Sequence, residues 1–158
     1  MNEKISENNR QINSITVNAQ YVKDVSFEAP FLPDILTQIK SSPEIQVSVD
    51  VNAKKLQDAV FEVALKIKAE AKAEDKMAFL CEVEYGCVAT VMVPAEHIEP
   101  VLLIEIPRLL FPFARNIIAD LTRESGFPPL MINPIDFVGL YHKRLEEISK
   151  QKTSSTVN

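Results

Sequence analysis

Four consecutive stretches of this chain alternate apolar and polar side chains with a period of two, and that alternation constrains the fold more than any other feature. In the first, Ile15, Val17, Ala19, Tyr21, Val25 and Phe27 occupy odd positions. Thr16, Asn18, Gln20, Asp24, Ser26 and Glu28 occupy even ones, with only Val22 out of place, and Pro30 closes the run. The second sets Ile45, Val47, Val49 and Val51 against Gln46, Ser48, Asp50 and Asn52. The third, from Ala59 to about Ala71, sets Phe61, Val63, Leu65, Ile67 and Ala69 against Glu62, Lys66, Lys68 and Glu70. Its alanines and lysines also suit a helix, but strict alternation decides for strand. The fourth places Met77, Phe79, Cys81, Val83, Tyr85 and Cys87 on one face and Leu80, Glu82, Glu84 and Gly86 on the other, with Gly86 expected at a bulge. Period two is the mark of a strand buried on one side. Four such strands with no helix between them predict an antiparallel sheet with one greasy and one wet face.

The second half of the chain is built differently. Residues 106–137 hold five of the ten prolines and four of the eight phenylalanines, and Pro100 lies just before them. A helical turn is expected from Ala95 to about Ile104, stopped by Pro107. Between Phe113 and Glu124 there is no proline or glycine, and Phe113, Ile117, Ile118 and Leu121 recur at helical spacing, which predicts an amphipathic helix. Gly126 suits its left-handed end, and Pro128 and Pro129 prevent its continuing. Asn133 and Pro134 read as N-cap and first residue of a last helix running to about Lys150. The connection 31–43 carries Phe31, Leu32, Ile35, Leu36 and Ile39, too apolar for an idle loop. The predicted fold is α+β: a four-stranded antiparallel sheet with helices packed on one face. Residues 1–10 and 151–158 are expected to be disordered, flanking a single domain over 11–150.

With 158 residues, the chain is the size of one domain with a proper core. It is 46% hydrophobic, yet no run approaches the ~20 apolar residues of a membrane helix. MNEKISENNR lacks the apolar stretch of a secretory signal. A net charge of -5 with no basic patch argues against nucleic acid. Two cysteines without Cys-x-x-Cys spacing suit a reducing cytoplasm.

Catalytic patterns are missing. His97 and His142 are the only histidines, and His97 has only Glu96 and Glu99 beside it, so neither a metal site nor a cofactor is expected. The three glycines are isolated, so no phosphate loop exists. Cys81 and Cys87 fall on the apolar strand face and read as buried, inert thiols. Glu82 and Glu84 point the same way from an open sheet, with nothing to raise a pKa.

Recognition is better supported. Asp24, Ser26 and Glu28 on strand one and Leu80, Glu82 and Glu84 on strand four share the wet face if the strands are in phase. Leu80 is then an apolar anchor in an acidic field, suited to a basic partner. Lys66, Lys68 and Lys72 temper that acidity.

The blocks YVKDVSFEAP (Tyr21–Pro30), AFLCEVEYG (Ala78–Gly86), LFPFAR (Leu110–Arg115) and GFPPLMINPIDF (Gly126–Phe137), with Leu140-Tyr141 following, resemble the SecB family of bacterial export chaperones. The likeness runs from about Ile12 to Gln151. It implies a cytoplasmic homotetramer, a dimer of dimers with helices sandwiched between two sheets. Such a protein holds unfolded precursor proteins and passes them to the SecA ATPase without ATP or cofactor of its own. It implies SecA contacts at Asp24, Glu28, Leu80 and Glu82, a client groove at Phe31, Leu36, Phe137 and Leu140, and tetramer assembly through Cys81, Val83 and Tyr85. Two other classes fit a sheet with helices. A thioesterase-like enzyme would need Asp136 as its carboxylate, although that residue suits helix capping better. A plain assembly protein would bind no client.

Overall fold

The computed structural model describes residues 13–155. Its four strands are β1 (Ser14–Glu28), β2 (Glu44–Gln57), β3 (Val60–Ala73) and β4 (Lys76–Met92). They pair antiparallel in the order β1-β4-β3-β2, so β1 and β2 are the edges. Directly opposed residues in an antiparallel ladder project to the same side. Val63, Leu65, Ile67, Ala69 and Ala71 of β3 face Cys87, Tyr85, Val83, Cys81 and Phe79 of β4, and all ten are buried. The expected greasy face is real and is deepest on the two central strands.

One helical stripe covers those strands. Helix α3 (Ile106–Glu124) buries Ile106, Leu110, Ala114, Ile118 and Thr122 completely. Four-residue spacing keeps all five on one side. This stripe is offset from the expected one: Ile118 is in it, Ile117 and Leu121 are half-buried, and Phe113 is exposed and stacks on Tyr85 with ring centroids 5.7 Å apart. Pro107 does not stop the chain. Helix α2 (Ala95–Pro100) passes through a π turn, Val101–Glu105, into α3. Pro107 therefore falls in the first turn of α3, directly after the wider π turn. Pro112 lies inside the helix on its exposed side, where water can bond the carbonyl that it leaves free.

Gly126 ends α3 as expected, at φ 85°. Its N–H donates to the Arg123 carbonyl, and that of Phe127 donates to Thr122, closing a Schellman motif. The last helix, α4 (Phe137–Ser155), starts three residues later than Asn133-Pro134 suggested. Asp136 is its cap, accepting from the Gly139 N–H at 3.0 Å. It also runs to Ser155, into the stretch 151–158 expected to be disordered. Residues 1–10 lie outside the described residues. A short helix, α1 (Ile35–Gln38), sits in the connection after β1 and sinks Ile35 into the core.

Three parts of the strand reading need correction. Met77 does not join the apolar face: a bulge between Ala71–Phe79 and Lys72–Met77 turns Ala78 inward, where it is fully buried. Nor is Gly86 at a bulge, since it pairs in register with both Tyr21 and Ala64. The bulges of that region are in β1, between Val17 and Ala19 and between Val22 and Asp24. They invert residues 19–22, so Tyr21 faces outward opposite Gly86 and Val22 faces inward opposite Tyr85. The second bulge restores the phase for Asp24 and Glu28.

Thr122 ties α3 to the elbow 126–136. Its hydroxyl reaches the Ile118 and Ala119 carbonyls at 3.0 Å and accepts from the Leu130 N–H at 2.9 Å. Thr122→Val keeps the shape and orphans a donor. It is expected to cost about 1–3 kcal/mol of stability, measured by denaturant unfolding; an unchanged midpoint would show that the elbow needs no such tie.

Candidate functional site

The sheet presents two surfaces of opposite character. On the outer face the register sets Asp24 opposite Glu84, Ser26 opposite Glu82 and Glu28 opposite Leu80. Asp24, Glu28, Leu80 and Glu82 therefore share that face. Both glutamates of β4 and Leu80 are half-buried there, while Asp24 and Glu28 are exposed. The lysines of β3 come close on one side only: Lys66 and Lys68 lie 3.8 Å and 4.0 Å from Glu82. Carboxylates accordingly dominate the β1–β4 half, and β3 carries the compensating charge.

A tighter cluster lies further along the same face. Tyr21 Oη donates to Glu62 Oε1 at 2.7 Å, and Lys23 Nζ donates to the same oxygen at 2.9 Å. The Lys23 bond, with that of Tyr21 second, holds the Glu62 carboxyl below its ordinary range. Burial, followed by the bond to Glu62, pushes Tyr21 up to about 12.

On the inner face α3 does not reach the edges. Ile45 and Val47 of β2 remain exposed, as do Ile15, Val22 and Val25 of β1. On the β2 side the elbow and α4 complete a groove of about 710 Å³. Ile45, Val47 and Val49 form one wall; Leu130, Met131, Ile132, Ile135 and Leu140 form the other. Met131 is 54% exposed and Leu140 36%, so apolar surface is presented to solvent. Arg144 braces α4 on β2 by donating to the Val51 carbonyl at 2.9 Å.

Of the four groove residues that the family resemblance implies, only Leu140 lines this groove. Phe137 is 1% exposed and packs edge-on against Phe111, so it belongs to the core and offers nothing to a ligand. Phe31 and Leu36 are exposed but stand apart from the groove: Phe31 lies under the Lys76 ammonium, and Leu36 approaches Gly126. The β2 wall and Met131 went unread, because sequence alone does not say that β2 is an edge beyond the reach of α3.

Cys81 and Val83 are fully buried within one subunit, and Tyr85 nearly so. Any influence on assembly must pass through what packs on them. Tyr85 is suitably placed, with its ring on exposed Phe113 and its hydroxyl donating to Gln20 at 3.3 Å. Among the described residues no three His, Cys, Asp or Glu side chains gather in a metal-binding group. Nor is any described helix long and apolar enough to cross a membrane. Asp136, the carboxylate a thioesterase-like enzyme would use, is engaged as the cap of α4.

Comparison with known proteins shows the family and the fold. The family described as preprotein translocase subunit SecB matches residues 7–148. The protein-export protein SecB of Rhodospirillum rubrum is 50% identical over 137 residues, covering 87% of this chain and 86% of its own. That of Parvibaculum lavamentivorans is 52% identical over 140 residues, covering 88% and 83%. In structure, the chain is similar to the SecB-like chaperone Rv1957 of Mycobacterium tuberculosis, solved with a ChAD peptide from the HigA1 antitoxin. The TM-score is 0.64 at 11% identity, over 77% of this chain and 90% of that one.

Burial makes both thiols poor nucleophiles. It pushes Cys81 up to about 11, with the Glu82 charge adding to the effect, and it raises Cys87 as well. Neither thiol is expected to react with iodoacetamide at pH 8 in the folded protein, and both are expected to react in denaturant. Native-state alkylation read by mass spectrometry would contradict this.

Proposed function

Because the chain belongs to the SecB family of protein-export chaperones, we propose that it divides two tasks between the two faces of its sheet. The family is one of chaperones rather than enzymes, so binding is the chemistry to be accounted for. The inner groove beside β2 holds unfolded precursor proteins, and the outer β1–β4 face docks the SecA ATPase. The observation that carries this reading is the separation itself: solvent-facing Met131, Leu140 and Val47 lie on one side of the sheet, and Asp24, Glu28, Glu82 and Leu80 on the other.

Apolar contact suits a holdase because it is nondirectional and accepts many sequences. One large buried side chain contributes about 1.5–3 kcal/mol, and each ~1.4 kcal/mol is a tenfold change in affinity. A single groove therefore holds weakly, and several grooves filled by one extended client hold strongly but divisibly. The inner side of β1 supports assembly into the family's tetramer: Val22, Val25 and the neighbouring Leu109 and Phe113 are exposed apolar side chains that a second copy would cover. Two unpaired, buried cysteines fit a cytoplasmic setting, where precursors are met before export. The acidic surplus of the outer face suits a basic SecA surface, with docking that weakens as salt rises.

Two substitutions separate the tasks. Glu82→Lys is expected to lower SecA affinity at least tenfold and leave client affinity unchanged in binding titrations. Leu140→Asp is expected to weaken capture of a chemically unfolded precursor about tenfold or more, with solution mass and SecA affinity intact. Equal loss of both activities in either variant would contradict separate surfaces.

A further inference from the structure

The alternation of β1 admits a second, wholly regular pairing with β4 that the chain does not use. Continued without interruption from Val17 opposite Ala89, the ladder would set Tyr21 opposite Tyr85, Lys23 opposite Val83, Asp24 opposite Glu82 and Glu28 opposite Ala78. The observed ladder instead has Asp24 opposite Glu84 and Glu28 opposite Leu80. The two registers differ by two residues of β4, about 7 Å along the strand.

The observed register has a cost. Asn18 and Lys23 have no partner across the ladder. Each bulge is tied down by its own side chain. Asn18 Nδ2 donates to Thr90 Oγ1 at 2.8 Å. Lys23 and Tyr21 both reach across β4 to one oxygen of Glu62 on β3, at 2.9 Å and 2.7 Å. Tyr21 crosses at Gly86, where an added Cβ would sit 3.0 Å from its ring. In the regular register Tyr21 and Lys23 would both turn inward. Both bonds to Glu62 would be lost, and the Lys23 charge would face Val83.

We propose that Tyr21, Lys23 and Glu62 form a latch that sets the register of β1 and so positions Asp24 and Glu28 relative to Leu80 and Glu82. Its consequence for docking rests on the outer face being the SecA surface; the register itself does not. The three are positioning residues, since none of them belongs to the proposed contact set.

The test is made on the full-length protein with the double variant Lys23→Val/Glu62→Ala. This removes the latch, makes the odd positions of β1 uniformly apolar and leaves the net charge unchanged. Cross-strand proton contacts by NMR report the register. In the wild type Glu28 is expected to contact Leu80; in the double variant it is expected to contact Ala78. SecA affinity is expected to fall tenfold or more although Asp24, Glu28, Leu80 and Glu82 are all retained. Retention of the Glu28–Leu80 contact in the double variant would overturn the latch, and a shifted register with unchanged SecA affinity would overturn the positioning role. A wild type that binds no SecA would remove the docking reading and leave the register result standing. If the double variant does not fold, Glu62→Ala alone, which removes both bonds, decides: a second population with Glu28 against Ala78 supports the latch, and the Leu80 contact alone sinks it.

Discussion

Packing of a single helical stripe on two central strands holds this structure together. Ile106, Leu110, Ala114, Ile118 and Thr122 sit on the inward side chains of β3 and β4, with no exposed surface at any of the five. Each large apolar side chain buried there contributes about 1.5–3 kcal/mol, which makes the middle of the sheet rigid. A helix is only about 10 Å across with its side chains, and strands lie about 4.8 Å apart. One helix therefore cannot cover four strands. The inner sides of β1 and β2 are left open by geometry, and open apolar strands are what a holdase and an assembling subunit require.

On the proposed reading, the same limit lets one sheet serve two kinds of partner. Side chains alternate across a strand, so alternate residues of the same strands build an apolar inner surface and a charged outer surface without interfering. The faces differ in the selectivity they provide. Apolar contact on the inner side tolerates nearly any unfolded sequence. Fixed carboxylates on the outer side favour one arrangement of opposite charge and disfavour others. If the two sites lie as proposed, a client and a motor protein do not compete for the same atoms.

Much of this was legible in the sequence, because period-two patterning is a local signal. Strand number, antiparallel pairing, the sheet's two faces, the glycine that ends α3 and the capping role of Asp136 all follow from neighbouring residues. What was not legible depends on distant ones. Pro107 reads as a stop until α2 and the π turn place it in the first turn of a new helix segment. Phe137, placed in the groove by family resemblance, packs in the core against Phe111. Tyr21 sits in phase with the apolar positions of β1, and only Glu62, two strands away, shows why it faces outward. Val22 out of place and Lys23 among the apolar positions were the signal: two adjacent misfits in an alternating strand mark a bulge. The edge position of β2, and with it the groove wall, is set by strand order, which local patterning does not encode.

Segregation of the two partners to opposite faces is the central claim, and methyl NMR on the assembled protein tests it most directly. An unfolded precursor and SecA are added in separate titrations while the methyls of Val47, Leu80 and Leu140 are followed together. The expected result is that the precursor moves Val47 and Leu140 and leaves Leu80 in place, whereas SecA moves Leu80 alone. Precursor and SecA perturbing the same methyls would contradict it.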